Sequence, residues 1–92
     1  MIGNVKDRRL KRLYERGDRS GIRADMVDRV EVILARLDVS LKIEDMDVHG
    51  WRLHPLTGNL QGFWSVTVRA NWRIIFRFES GTANDIEMID YH

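Results

Sequence analysis

The 92-residue chain has no cysteine, so neither a disulfide framework nor a thiolate metal site is open to it, which fits a reducing compartment. No apolar run approaches about 18 residues, so no segment reads as a membrane span. The start, Met1-Ile2-Gly3-Asn4-Val5-Lys6, lacks the long apolar stretch of a secretory signal, and the expected location is the cytoplasm. No repeat, low-complexity tract or linker divides the sequence, which reads as one domain over 1–92. Histidine is scarce: His49, His54 and His92 are scattered without ligand spacing, so no metal site is expected. The most telling absence is of acid, because between Arg52 and Arg77 there are four arginines and no carboxylate.

A chain this short buries only about 60–65% of its unfolded surface, so its core must be well packed. Forty-three per cent hydrophobic residues and three tryptophans suffice, and disorder is not expected. Net charge is +1, but it is distributed in blocks of alternating sign. Residues 1–23 hold eight Lys/Arg against three acids, and residues 24–48 hold three against seven. Residues 49–78 hold four against none, and 79–92 none against four. Such blocks suggest separate faces more than a uniform nucleic-acid coat, with solvated helix sides as the plainer account of the first two.

Residues 2–6 read as a short first strand. Asp7 is a good N-cap for a helix with Leu10, Leu13 and Tyr14 on one side and Gly17 as its stop. Its outer side is basic: Arg8, Arg9, Lys11, Arg12 and Arg16. A second helix is expected from about Ala24 to Leu37, with Met26, Val30, Ile33, Leu34 and Leu37 as its apolar stripe. An irregular acidic connection over 41–50 ends at Gly50. From Trp51 the period changes to two, and Phe63 to Val68 and Trp72 to Phe78 read as strands, with a last strand from Ile86 to Tyr91. The order is β-α-α-β-β-β-β, an α+β domain whose two helices cover one face of the sheet.

Parity tests the central hairpin. A two-residue loop at Ala70-Asn71 would mix apolar and charged faces. A three-residue loop, Arg69-Ala70-Asn71, pairs Val68 with Trp72, Val66 with Ile74 and Trp64 with Phe76, with Asn71 left-handed, and is preferred. Trp64, Val66, Val68, Trp72, Ile74, Phe76 and Phe78 then form the covered face. Arg52, His54, Arg73 and Arg77 share the uncovered, cationic one, where Phe63 is placed to stack a base.

Arginines on a rigid sheet suit phosphate, since the guanidinium fork bonds two oxygens and keeps its charge. Metal-free phosphodiester cleavage needs a base at the ribose 2′-hydroxyl, positive donors for the transition state and an acid at the leaving 5′-oxygen. Imidazole serves as either proton carrier near neutrality. His54, His92, Arg73 and the neighbouring Asp90 and Tyr91 supply such a set. Each also has a plain alternative: His54 as a surface strand residue, the arginines as solubilising groups, Asp90 as a cap, His92 as a frayed end.

Taken in order, these residues carry a resemblance. Leu13-Tyr14-Glu15, Gly17-Asp18, Ser20-Gly21-Ile22 and Ile33-Leu34-Ala35-Arg36-Leu37-Asp38 lead to Glu44-Asp45-Met46 and Gly50-Trp51-Arg52-Leu53-His54-Pro55-Leu56. Gly58, Gly62, Trp64-Ser65-Val66, Asn71-Trp72-Arg73, Phe76-Arg77-Phe78-Glu79 and Asp90-Tyr91-His92 follow. Over nearly its whole length the chain resembles the HigB family within the RelE/ParE toxin superfamily. The resemblance implies a RelE-like fold and a type II toxin: a ribosome-dependent endoribonuclease that enters the 30S decoding site and cuts mRNA. The family's active-site residues fall on His54, Arg73, Asp90, Tyr91 and His92. Arg52, Arg77, Arg8, Arg9, Lys11 and Arg12 are the expected RNA contacts. The implied partner is a HigA-like helix-turn-helix antitoxin, with operator DNA bound only through the complex, and the resemblance implies no cofactor. Two other readings stay open: a ParE-like toxin that poisons gyrase, which would not need the histidines, and a silent module that only binds an antitoxin.

Relatives commonly carry lysine where this chain has Thr57 and Gln61, and losing two positive groups weakens contact with RNA phosphate. Thr57→Lys is therefore expected to raise ribosome affinity and steepen its salt dependence in a sedimentation assay. Unchanged binding would reject the expectation.

Overall fold

In the computed structural model, residues 1–91 are described, and they form two helices followed by a four-stranded antiparallel sheet. Helix α1 spans Arg8–Arg16 and begins and ends where local chemistry says it should. The Asp7 carboxylate accepts the Arg9 and Leu10 amide protons, and Gly17 (φ 67°) closes the helix in the left-handed region, where a side chain would be strained. Helix α2 spans Val27–Val39, starting later than its stripe suggests. The Arg23 carbonyl accepts both the Met26 and Val27 amides, so residues 24–26 form an entry turn.

The strands are β1 (His54–Pro55), β2 (Trp64–Arg69), β3 (Trp72–Glu79) and β4 (Thr82–Asp90), paired in that order. The anticipated first strand is reduced to two parallel bridges, Ile2 to Ala83 and Val5 to Ile86, along the outer edge of β4. A bulge explains the interruption. Asp85 (φ 53°) is the extra residue on β4, its amide and carboxylate both bonded to the Asn4 side chain. β4 itself starts four residues earlier than its apolar pattern implied. Ser80 and Gly81, both at positive φ, make the two-residue turn that carries it back along β3.

In the β2–β3 hairpin, Val66 pairs with Ile74 and Trp64 with Phe76, as parity requires. At the loop the expectation fails. Arg69, not Val68, faces Trp72, and Val68 lies in an irregularity between Thr67 and Arg69. The loop is the two-residue Ala70-Asn71, and Ala70 (φ 52°) takes the left-handed position assigned to Asn71. The bulge absorbs the parity conflict that argued against a short loop, so Val68 still points into the core.

Both helices pack on the face bearing Val66, Val68, Ile74, Phe76, Ala83, Ile86 and Met88. The other face is less open than alternation suggests. Ile75 is buried there with Leu56 and Phe63, and with Leu60 and Ile89 at the margin. The segment after β1 folds across that face, so Ile74-Ile75-Phe76 is buried on both sides.

Asp7 ties α1 to this sheet. Its carboxylate also accepts the Met88 amide (3.2 Å) and pairs with Arg9 (2.8 Å), whose Nη2 reaches the Met88 carbonyl (3.1 Å). Burial pushes the Asp7 carboxyl up, but the hydrogen bonds from Arg9 and Met88 outweigh this and hold it below the usual carboxylate range. A lowered folded pKa stabilises above the unfolded value and is lost as pH falls through the folded one. Asp7→Ala should thus cost about 2–3 kcal/mol at neutral pH, from the lost cap and the stranded partners. In urea titrations its deficit against wild type should shrink between about pH 5 and about pH 2. A deficit independent of pH would contradict this role.

Candidate active-site face

Cross-strand partners in an antiparallel sheet share a face, so the register places the candidate residues directly. His54 opposes Ser65, which opposes Ile75, which opposes Glu87. One row along, Thr67 opposes Arg73, which opposes Ile89. His54 and Arg73 therefore lie on the side away from the helices, two strands and one row apart. With normal strand spacing and rise, that puts their backbones about 12 Å apart, a gap that a long arginine and a ribose–phosphate unit can bridge.

His54 is exposed, and its Nδ1 lies 2.9 Å from the Arg52 carbonyl oxygen. A carbonyl only accepts, so in the neutral ring Nδ1 carries the proton and Nε2 presents its lone pair to solvent. Arg52 makes this possible by leaving strand geometry: at φ 53° it precedes β1, turning its carbonyl back over the ring. Alternation, which would seat the Arg52 side chain beside His54, does not hold there. Its backbone, more than its charge, acts on the histidine.

Arg73 is half-buried, and its Nη1 donates to the Ala70 (2.6 Å) and Trp72 (3.3 Å) carbonyls. Among the described residues, Nε and Nη2 keep donors for a phosphate. Arg77 shares the face but is held down. Its guanidinium lies 4.4 Å above the Phe63 ring and its Nε is 3.5 Å from Asp85 Oδ2. Phe63 is thereby buried under Arg77 and is not free to stack a base. Gly62 sits beside this contact at φ 95°, where a side chain would be strained, and a Cβ there would come within 2.7 Å of Arg77 Nη1 and displace the guanidinium.

The chain end divides. Asp90 pairs with Trp72 and so stands on the helix side, at a cavity of ≈190 Å³ lined by Arg23, Arg69, Asn71 and Trp72. Asp25 holds both of those arginines, at 2.9 and 3.3 Å. Tyr91 is exposed, and its amide bonds the Asn71 carbonyl (2.7 Å), continuing the ladder one residue past β4. Alternation directs it to the His54–Arg73 side. His92 lies outside the described residues.

The basic helix is a separate surface. Arg8, Lys11, Arg12 and Arg16 line an open groove of ≈370 Å³ on α1, behind the sheet as seen from His54. Arg9 does not belong to that groove. It bonds Asp7 and the Met88 carbonyl and sits 6.0 Å from the Trp72 ring, contacts that tie α1 to β4.

Two further polar residues share this face, as strand alternation expects, although the sequence assigns them no role. The Ser65 and Thr67 hydroxyls are buried on the site face without a hydrogen-bond partner among the described residues. They flank the line from His54 to Arg73, and Ser-Val-Thr in a β-period run is the only sequence trace they leave.

A family model described as the RelE-like toxin of the type II toxin–antitoxin system HigB matches residues 3–92. The protein named endoribonuclease HigB of Proteus vulgaris is 44% identical over 92 residues, covering 100% of both chains.

The His54 tautomer can be read without any substrate. Long-range ¹H–¹⁵N correlation of the neutral ring should show Nδ1 protonated and Nε2 bare; the opposite pattern would remove the Arg52 contact from the account.

Proposed function

The chain belongs to the HigB-like family of RelE-like toxins of type II toxin–antitoxin systems, and on that premise we propose that it is an endoribonuclease that cuts mRNA in the ribosomal decoding site. Its full-length likeness to an endoribonuclease supports the reaction class. The observation that carries the chemistry is His54, held at Nδ1 by a backbone carbonyl with Nε2 facing solvent on an arginine-bearing sheet.

In this reading His54 Nε2 takes the proton from a ribose 2′-hydroxyl, and that oxygen attacks the adjacent phosphorus. Arg73 donates to the non-bridging oxygens as negative charge gathers on them. The bond from phosphorus to the 5′-oxygen breaks, and His92, as imidazolium, returns a proton to the leaving oxygen. The products are a 2′,3′-cyclic phosphate and a 5′-hydroxyl. Tyr91 is assigned to the same face as a phosphate or proton donor. Asp90, on the other side of β4, is assigned to orient the end of the chain. Arg52, Arg8, Lys11 and Arg12 supply phosphate contacts that position without reading sequence.

A type II toxin is paired with a protein antitoxin. The assignment of that partner as a HigA-like helix-turn-helix protein, which brings the pair to operator DNA, is part of the proposal.

Regulated expression of wild type, His54→Gln and His92→Gln, with mapping of mRNA 5′ ends and a gyrase supercoiling assay, tests the reading. Wild type should cut at fixed positions within codons, and each variant should cut about a hundred- to ten-thousandfold more slowly. Equal toxicity of all three, or gyrase inhibition with intact mRNA, would overturn it.

A further inference from the structure

Helix α2 is apolar on two sides, and the fold covers only one. Val30, Ile33, Leu34 and Leu37 face the sheet, whereas Val32, Ala35 and Val39 stand at i, i+3 and i+7 on the opposite side. Val32 is 55% and Val39 71% exposed. Val48 and Trp51 form the facing wall, Trp51 being 5% exposed and part of the core, and together they make a groove of ≈500 Å³. Among the described residues Arg36 is its one charged lining residue, anchored by an Nε bond to the Asp45 carbonyl (2.8 Å). Adjoining exposed aliphatic residues of this kind mark a surface that a partner covers.

Charge argues against a second copy of this chain as the occupant. A two-fold contact over the stripe would bring both copies of Arg36 into one interface, and no carboxylate among the described lining residues could meet them. A different chain with a carboxylate at that point has no such conflict. The toxin family supplies a partner that must bind somewhere, and this inference rests on that reading of the chain.

We propose that the α2 groove receives an amphipathic helix of the cognate antitoxin, its aliphatic side chains at i, i+3 or i+4 and i+7 lying along Val32, Ala35 and Val39, and an acidic residue meeting Arg36. The groove is on the helix side of the sheet, so its substitution leaves the His54–Arg73 face intact.

The test uses the full-length toxin with its antitoxin. The double variant V32E/V39E should lose antitoxin affinity by roughly a hundredfold or more, because two carboxylates would be desolvated against the partner's apolar stripe. Arg36→Glu should lose roughly tenfold. Both should cleave mRNA as wild type does, and their toxicity should no longer be neutralised by the antitoxin. Wild-type neutralisation of the variants would overturn this proposal alone. A self-dimer that V32E/V39E dissociates, with antitoxin binding retained, would also overturn it. If wild type neither cuts mRNA nor is neutralised, the functional reading falls and takes this one with it.

Discussion

Everything placed on the exposed face depends on the register of β2 against β3. Side chains alternate with a period of two, so a slip of one residue would turn Arg73 into the core and Ile74 out to solvent. The register is set on the hidden side, where Val66 meets Ile74 and Ile74 meets Met88 beneath the helices. Burying those aliphatic side chains is worth about 1.5–3 kcal/mol each, far above any surface polar contact in the sheet. Apolar packing on one face therefore fixes where imidazole and guanidinium stand on the other. The chemistry is positioned by residues that never touch substrate.

Two bulges refine that placement. The irregularity at Val68 lets a two-residue loop close the hairpin, and the shortened loop brings the Ala70 carbonyl to Arg73. The bulge at Asp85 re-aims β4, setting a carboxylate beside Arg77 and binding the chain start through Asn4. Arg77 and Phe63 then seal the small second core, while Arg73 keeps donors open among the described residues. Two arginines on one strand face thus have different fates. One closes a hydrophobic cluster, and the other is the arginine proposed to meet phosphate.

Elements with local signals were legible in the sequence. Asp7 and Gly17 bound α1 because capping is decided within one turn, and the core pairs of the hairpin follow from alternation. Features decided by distant partners were not. Arg9 looks like one more basic residue on α1 until Met88, far along the chain, supplies its carbonyl. Leu56 and Leu60 carry no strand or helix period of their own, and Ile75 on a distant strand gives them something to cover. The outer stripe of α2 was masked by the acids and arginines around it. At the site, the residue types were legible, yet the tie from the Arg52 carbonyl to His54 depends on a left-handed backbone at an arginine, which composition does not announce. Asp90 and Tyr91 are neighbours in sequence, and alternation sends them to opposite sides.

The central claim is that substrate lies on the sheet face of His54 and Arg73. A structure of the protein on a ribosome carrying an mRNA whose cut site lacks the 2′-hydroxyl tests it most directly. The account places His54 Nε2 within about 4 Å of that ribose 2′ carbon, with Arg73 against the adjoining phosphate. An mRNA cut site seated on the α1 groove, with His54 turned to bulk solvent, would contradict it.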